Sequence, residues 1–208
     1  MGKEIAFYYD FGSPNAYLVE HVLPGIAAQH GAQIRHVPIL LGGLFKATGN
    51  QSPIFGFAEV SGKVAYLKRE MDRFIARHKV PFVWNPHFPV LTTTLMRGAV
   101  YAQGKPWEDA YRSAVYRHCW VEGTNMTDPA VAAAALTAEG LPAEEILAAT
   151  QDPDVKAALF ATTDEAKTRG AFGVPVMFVD DEMYFGKDSL VDLAHDLAEA
   201  GPSGGGET

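Results

Sequence analysis

The sequence predicts an α/β fold in which a small sheet-bearing part is interrupted by a large all-helical insertion. Three observations carry that expectation. Residues 5–9, Ile-Ala-Phe-Tyr-Tyr, are an apolar run without polar alternation, which marks a strand buried on both faces, and they lead almost directly into a helix start at Ser13-Pro14. Residues 57–169 show helical spacing punctuated by Asp-Pro and Leu-Pro openings and closing glycines. Residues 173–185 then return to strand character, as two short runs around Asp180-Asp181.

Each element has a local reason. Ser13 is a good N-cap and Pro14 a favoured first helical residue, so a helix is expected over 14–30, closed by a left-handed Gly31, with Leu18, Val22, Ile26 and Ala27 on its apolar face. Pro24 inside it is expected to kink or split it. Residues 33–37 read as a second strand with Ile34 and Val37 in the core and Pro38 at its end, and a connection this long implies a parallel pair with a right-handed crossover. Residues 39–56, rich in Gly and Asn yet carrying Leu44 and Phe45, read as a long connection of the kind that lines sites. Helical runs are expected at 57–78, 87–103 and 106–121, followed by shorter ones opened by Asp128-Pro129, Leu141-Pro142 and Asp152-Pro153, the last reaching Gly170. Strands at 176–179 and 183–185 form a hairpin, and a final helix over 190–200 has Asp188 as its expected cap. The expected division is therefore a discontinuous α/β domain over 1–56 and 170–200, a helical insertion over 57–169, and a glycine-rich tail at 201–208.

Composition narrows the function. With 208 residues and 48% hydrophobic content the chain can build one sizeable core. The net charge of −8 without a basic cluster argues against nucleic acid and anionic membranes as partners. No apolar run reaches ~18 residues and no leader pattern precedes the first strand, so a soluble cytoplasmic protein is expected. One cysteine, Cys119, excludes both an intrachain disulfide and a thiolate metal cluster. Beside Trp120 in a helical run it reads as core filler, and the seven histidines show no metal spacing on a common face.

The chemistry concentrates at Ser13. A hydroxyl at a helix N-cap lies beside unpaired N–H groups and the positive end of the helix dipole, a place to hold a phosphate, a carboxylate or a thiolate. Capping alone would equally account for a serine there.

The strand–capped helix–strand order, the long helical insertion and the Val174-Pro175 pair before the third strand resemble the thioredoxin fold in its DsbA-like branch. There Ser13 stands where redox members carry their attacking cysteine, and Pro175 corresponds to a cis-proline facing it. Ser13-Pro14-Asn15-Ala16 replaces Cys-x-x-Cys, and disulfide exchange needs a thiolate, so self-contained redox chemistry is excluded. Asp10-Phe11-Gly12-Ser13-Pro14, residues 41–50, Lys63 with Tyr66, residues 170–175 and Phe185-Gly186-Lys187-Asp188 together resemble the kappa-class glutathione transferase and 2-hydroxychromene-2-carboxylate isomerase family, the Gly-Gly-x-Phe-Lys-x-Thr-Gly-Asn stretch being closer to the isomerases. The resemblance implies glutathione as a bound cofactor, its sulfur over the helix N-terminus at Ser13 and Pro14. It further implies that Val174 and Pro175 pair with the cysteinyl part, that Lys187 and Asp188 meet the γ-glutamyl end, and that Asn50 and Lys63 hold the glycyl side. Ser189 stands where many relatives have arginine. A small aromatic acid is the implied substrate, with Lys46 on its carboxylate and Phe45 among the walls, and a homodimer the implied assembly. Two alternatives stay open: a transferase that consumes glutathione, and a non-catalytic module that binds a partner at the cis-proline edge.

Overall fold

The computed structural model describes residues 3–199, and the expected tail at 201–208 lies outside them. Four strands, β1 (Glu4–Tyr9), β2 (Gln33–Pro38), β3 (Val176–Val179) and β4 (Glu182–Phe185), form one sheet in the order β2-β1-β3-β4. β1 pairs with β2 in parallel, Phe7 opposite His36, and antiparallel with β3, Phe7 opposite Met177. The fold is a DsbA-like thioredoxin fold, as expected. Alternation along β1 sorts its side chains onto the two faces. Ile5, Phe7 and Tyr9 enter a large core, while Ala6 and Tyr8 enter a smaller one with Val37, Ile39, Leu44 and Phe178.

The large core does not stop at the sheet. It runs from Phe7 and Leu18 through Tyr111, Tyr116 and Trp120 to Leu136 and Ile146. Six helices of the inserted segment, α4 (Lys63–His78), α5 (Thr93–Ala102), α6 (Glu108–Trp120), α7 (Pro129–Ala138), α8 (Ala143–Ala149) and α9 (Pro153–Thr168), follow α1 (Pro14–His30), α2 (Leu41–Thr48) and α3 (Pro53–Gly56). The last of them, α9, packs on α2 and β2, and its Ala166 joins the smaller core.

Several expectations are corrected. Pro24 does not split α1, which is continuous over 17 residues. It lies on the exposed side, where a missing backbone bond costs least, while buried Leu23 and Ala27 hold both halves against the core. Residues 39–56 hold α2 and α3 rather than a loop, despite two glycines in the first turn of α2. The cap of α2 is remote: Leu40 offers no side-chain bond, and the Asp10 carboxylate accepts from the Leu41 N–H at 2.8 Å instead. Residues 79–92 are extended or turn structure, α5 begins only at Thr93, and α6 begins at Glu108. Pro81, Pro86 and Pro89 interrupt helical hydrogen bonding there, and the Phe88–Pro89 bond is cis. Asp188 does not cap the last helix, α10 (Leu190–Glu199). It sits in a single 3-10 turn, Lys187–Ser189, closed by the Leu190 N–H donating to the Lys187 carbonyl, while Ser189 Oγ donates to the Gly186 carbonyl at 2.8 Å.

Two buried polar ties fix the helices to the sheet layer. Trp120 is fully buried and its indole N–H donates to the Phe11 carbonyl at 2.7 Å, one turn before Ser13. Glu20 of α1 accepts from Arg112 of α6 at 2.8 Å and lies 3.1 Å from His36 of β2. Burial alone would push the Glu20 carboxyl up, but the bond and charge of His36 and the Arg112 guanidinium overcome it and hold the group below its usual range.

Candidate active site

The site grows from the β1–α1 turn. Ser13 caps α1: its buried Oγ accepts from the Ala16 N–H at 3.2 Å and donates to the Val174 carbonyl at 3.3 Å. The Val174–Pro175 peptide bond is cis, so the loop before β3 turns its backbone toward the helix start. Pro14 has no N–H, and the Asn15 N–H has no carbonyl four residues back within the helix. That orphan donor and the dipole end leave an electropositive corner beside Ser13.

Asp10 builds the floor. Only 2% exposed, it accepts from the Thr92 hydroxyl at 2.5 Å, the Gly12 N–H at 2.8 Å and the Leu41 N–H. Burial pushes its carboxyl up, opposed by those three donors. One side chain thus ties the turn carrying Ser13 to the start of α2 and to the segment before α5. That segment approaches closely: a Cβ on Gly12 would meet the Val90 carbonyl at 3.2 Å. Gly12 is small because a backbone lies against it.

A cavity of about 810 Å³ opens over this corner. Its inner end is Ser13, Pro14, Val174 and Pro175. One wall comes from Leu41, Phe45, Asn50 and Phe55, another from Val64, Leu67 and Met71 on α4, and a third from Trp84, Phe88 and Leu91. Such a space, mostly apolar with a few convergent polar groups, suits a flat organic ligand.

Of the residues read from the sequence, the structure brings Ser13, Pro14, Phe45, Asn50, Val174 and Pro175 together on the cavity wall. Asn50 is partly spoken for, since its amide donates to the Phe172 carbonyl at 2.7 Å and its oxygen accepts from Gln51 N–H. Lys46, Lys63, Lys187, Asp188 and Ser189 are not on the wall. Lys46 is exposed on α2, and Lys63 is exposed with its ammonium 5.1 Å from the Phe57 ring centroid. Lys187 is buried, bonded to both oxygens of Glu70 at 2.5 Å and to Asp188 at 2.9 Å. The cation absent at Ser189 is thus matched by one two residues earlier, committed to α4. Sequence reasoning missed Asp10, Thr92, Lys68 and Glu70. Helical phase could have found Lys68, four residues after Val64 and flanked by Leu67 and Met71. Asp10 carried no such signal, because its partners are distant in the chain.

Cys119 is buried away from the wall, as core filler, and burial pushes its thiol up to about 12. Among the described residues, His195, Asp196 and Glu199 could share an ion by proximity, but all three are exposed on α10, outside the cavity.

The fold and this corner define a DsbA-like thioredoxin-fold enzyme with a serine capping the helix that follows its first strand. The chain belongs to the DSBA-like thioredoxin domain family, matched over residues 4–198, and within it to the 2-hydroxychromene-2-carboxylate isomerase and kappa-class glutathione transferase branch. It is 30% identical over 190 residues to a 2-hydroxychromene-2-carboxylate isomerase of Sphingobium xenophagum, covering 91% of this chain and 95% of the relative. It is 27% identical to human glutathione S-transferase kappa 1, covering 95% and 92% of the two chains. A solved 2-hydroxychromene-2-carboxylate isomerase superposes with a TM-score of 0.82 at 27% identity, with 95% of each chain covered. Among the described residues no helix is long and apolar enough to cross a membrane.

Proposed function

We propose that the protein is a glutathione-dependent isomerase of 2-hydroxychromene-2-carboxylate-type aromatic acids. The observation that carries this reading is Ser13 Oγ at the capped start of α1, beside the cis Val174–Pro175 bond, at the inner end of an apolar cavity with no cysteine on its wall. The residues present fit glutathione: a hydroxyl, an orphan N–H and a helix dipole suit a thiolate, and a chain whose one cysteine is buried has no accessible thiol of its own. Bound there, glutathione would supply the thiolate that adds to the conjugated carbon and leaves again once the ring has opened and a single bond has turned.

The chain's own groups have separate tasks. Ser13 Oγ, freed from its 3.3 Å bond to Val174, donates to the sulfur and favours its charged form. The Val174 backbone orients the cysteinyl part by strand-like pairing. Lys187 and Asp188 lie off the wall, and of their cluster Glu70, which lines it, would face the γ-glutamyl end. Asn50 closes the glycyl side. Phe45, Trp84 and Phe88 hold the aromatic ring flat and keep water from the reacting carbon. A cytoplasmic, homodimeric protein accompanies this reading, and size-exclusion chromatography with light scattering checks the assembly.

The test is turnover of 2-hydroxychromene-2-carboxylate to trans-o-hydroxybenzylidenepyruvate with and without glutathione. Turnover that needs glutathione in catalytic amount supports the reading, and turnover unchanged without any thiol overturns it. Accumulation of a stable conjugate with a chloronitrobenzene, in place of isomerisation, would favour the kappa-like transferase.

A further inference from the structure

We infer that Lys68, on the stripe of α4 that lines the cavity, is the anchor for the carboxylate of the aromatic acid, a deepening of the function proposed above. Three charged residues line the cavity among the described residues: Asp10, Glu70 and Lys68. Both acids are committed. Asp10 is held by Thr92, Gly12 and Leu41, and both Glu70 oxygens are held by Lys187. Lys68 makes no ion pair or hydrogen bond among the described residues. The one uncommitted charge on the wall is therefore positive, in a chain whose net charge is −8.

Its surroundings specify what anion it takes. Lys68 is exposed, next to Leu67 and three residues before Met71 on α4, in a lining that also includes Trp84, Phe88 and Leu91. A cation at the rim of an apolar slot recognises a molecule with a flat apolar body and one carboxylate at its end. A small hydrophilic anion would leave the aromatic walls unfilled. An ammonium on a flexible stem is adequate for a carboxylate that must also shift while the ring opens. Lys46 is exposed on α2 but off the wall, so the carboxylate role read from the sequence passes to Lys68.

Binding of a non-reacting probe tests this without glutathione or turnover. trans-Cinnamate and its methyl ester are titrated by calorimetry into the wild type and into Lys68→Ala, Lys68→Arg and Lys68→Glu. Lys68 acting as anchor predicts about three- to tenfold weaker cinnamate binding in Lys68→Ala, a larger loss in Lys68→Glu, substantial retention in Lys68→Arg, and ester binding unchanged throughout. Equal cinnamate affinity in the wild type and Lys68→Glu overturns the inference. So does an equal loss for acid and ester, which would mean that the stem acts through packing alone. Should glutathione-dependent turnover be absent while the cinnamate series behaves as expected, the proposed reaction fails and the anchor stands. Lys46→Ala, measured in parallel, is expected to leave cinnamate binding unchanged.

Discussion

A single hydroxyl distinguishes this site from a redox centre. Ser13 keeps the cap and the helix dipole that elsewhere lower a thiol pKa, and in the function proposed above these serve an incoming thiol. Ser13→Ala is expected to cost about 1 kcal/mol of stability through the lost cap, and to lower turnover by about 10–100-fold through the lost donor. Urea titration and steady-state kinetics on the same preparation separate the two, because a purely structural serine would move only the first. Cys119 is the contrasting case. Its thiol is pushed up to about 12 and is fully buried, so it should resist a thiol reagent at pH 8 in the native protein and react at once in guanidinium. Rapid native labelling would contradict the packing around Trp120.

At the scale of elements, what could be read in advance was what short stretches decide by themselves. The β1 run, the Ser13-Pro14 start, the Gly31 stop and the Asp128 and Asp152 caps are all local, and all are found. The start of α2 was not legible, because its cap comes from Asp10, 31 residues earlier. Residues 87–92 were misread as helix because apolar spacing there serves the cavity and the core around Trp120 rather than one helix face. Of the site, the inner end was legible through Ser13, Val174 and Pro175. Lys68 was missed, although its helical phase with Val64, Leu67 and Met71 separates it from Lys63.

Ties between elements give two further expectations. Trp120→Phe keeps most of the buried volume but strands the Phe11 carbonyl, and should cost about 1–3 kcal/mol by urea titration. Glu20 governs the acid limb. Its carboxyl is held low in the fold, so it contributes stability that is present above its unfolded value of ~4.3 and is lost as pH falls through the folded one. Glu20→Gln should therefore flatten the fall in stability below about pH 4.5, as read from urea midpoints across pH, and leave a destabilised plateau at neutral pH where Arg112 and His36 lack their partner. An unchanged acid limb would show that other carboxylates set it.

For the whole molecule, a core continuous from the sheet through α5, α6 and α8 predicts a single cooperative transition. Glutathione at about ten times its dissociation constant should add ~1.4 kcal/mol and raise the melting temperature by about 3–6 °C. Two separated calorimetric peaks would show the helical segment melting by itself, against the packing of Tyr111 and Trp120 on Phe11.

The corner proposed to activate sulfur and the surfaces proposed to recognise the acid belong to different stretches of polypeptide. Ser13, Val174 and Pro175 are fixed by the sheet, whereas Trp84, Phe88 and Leu91 ride on a proline-rich ribbon held by Asp10 and Trp120. Grafting residues 84–91 from one relative into another should consequently change which acid is accepted while leaving the thiol chemistry intact, a division of labour that lets one scaffold follow new substrates by rewriting a single short passage.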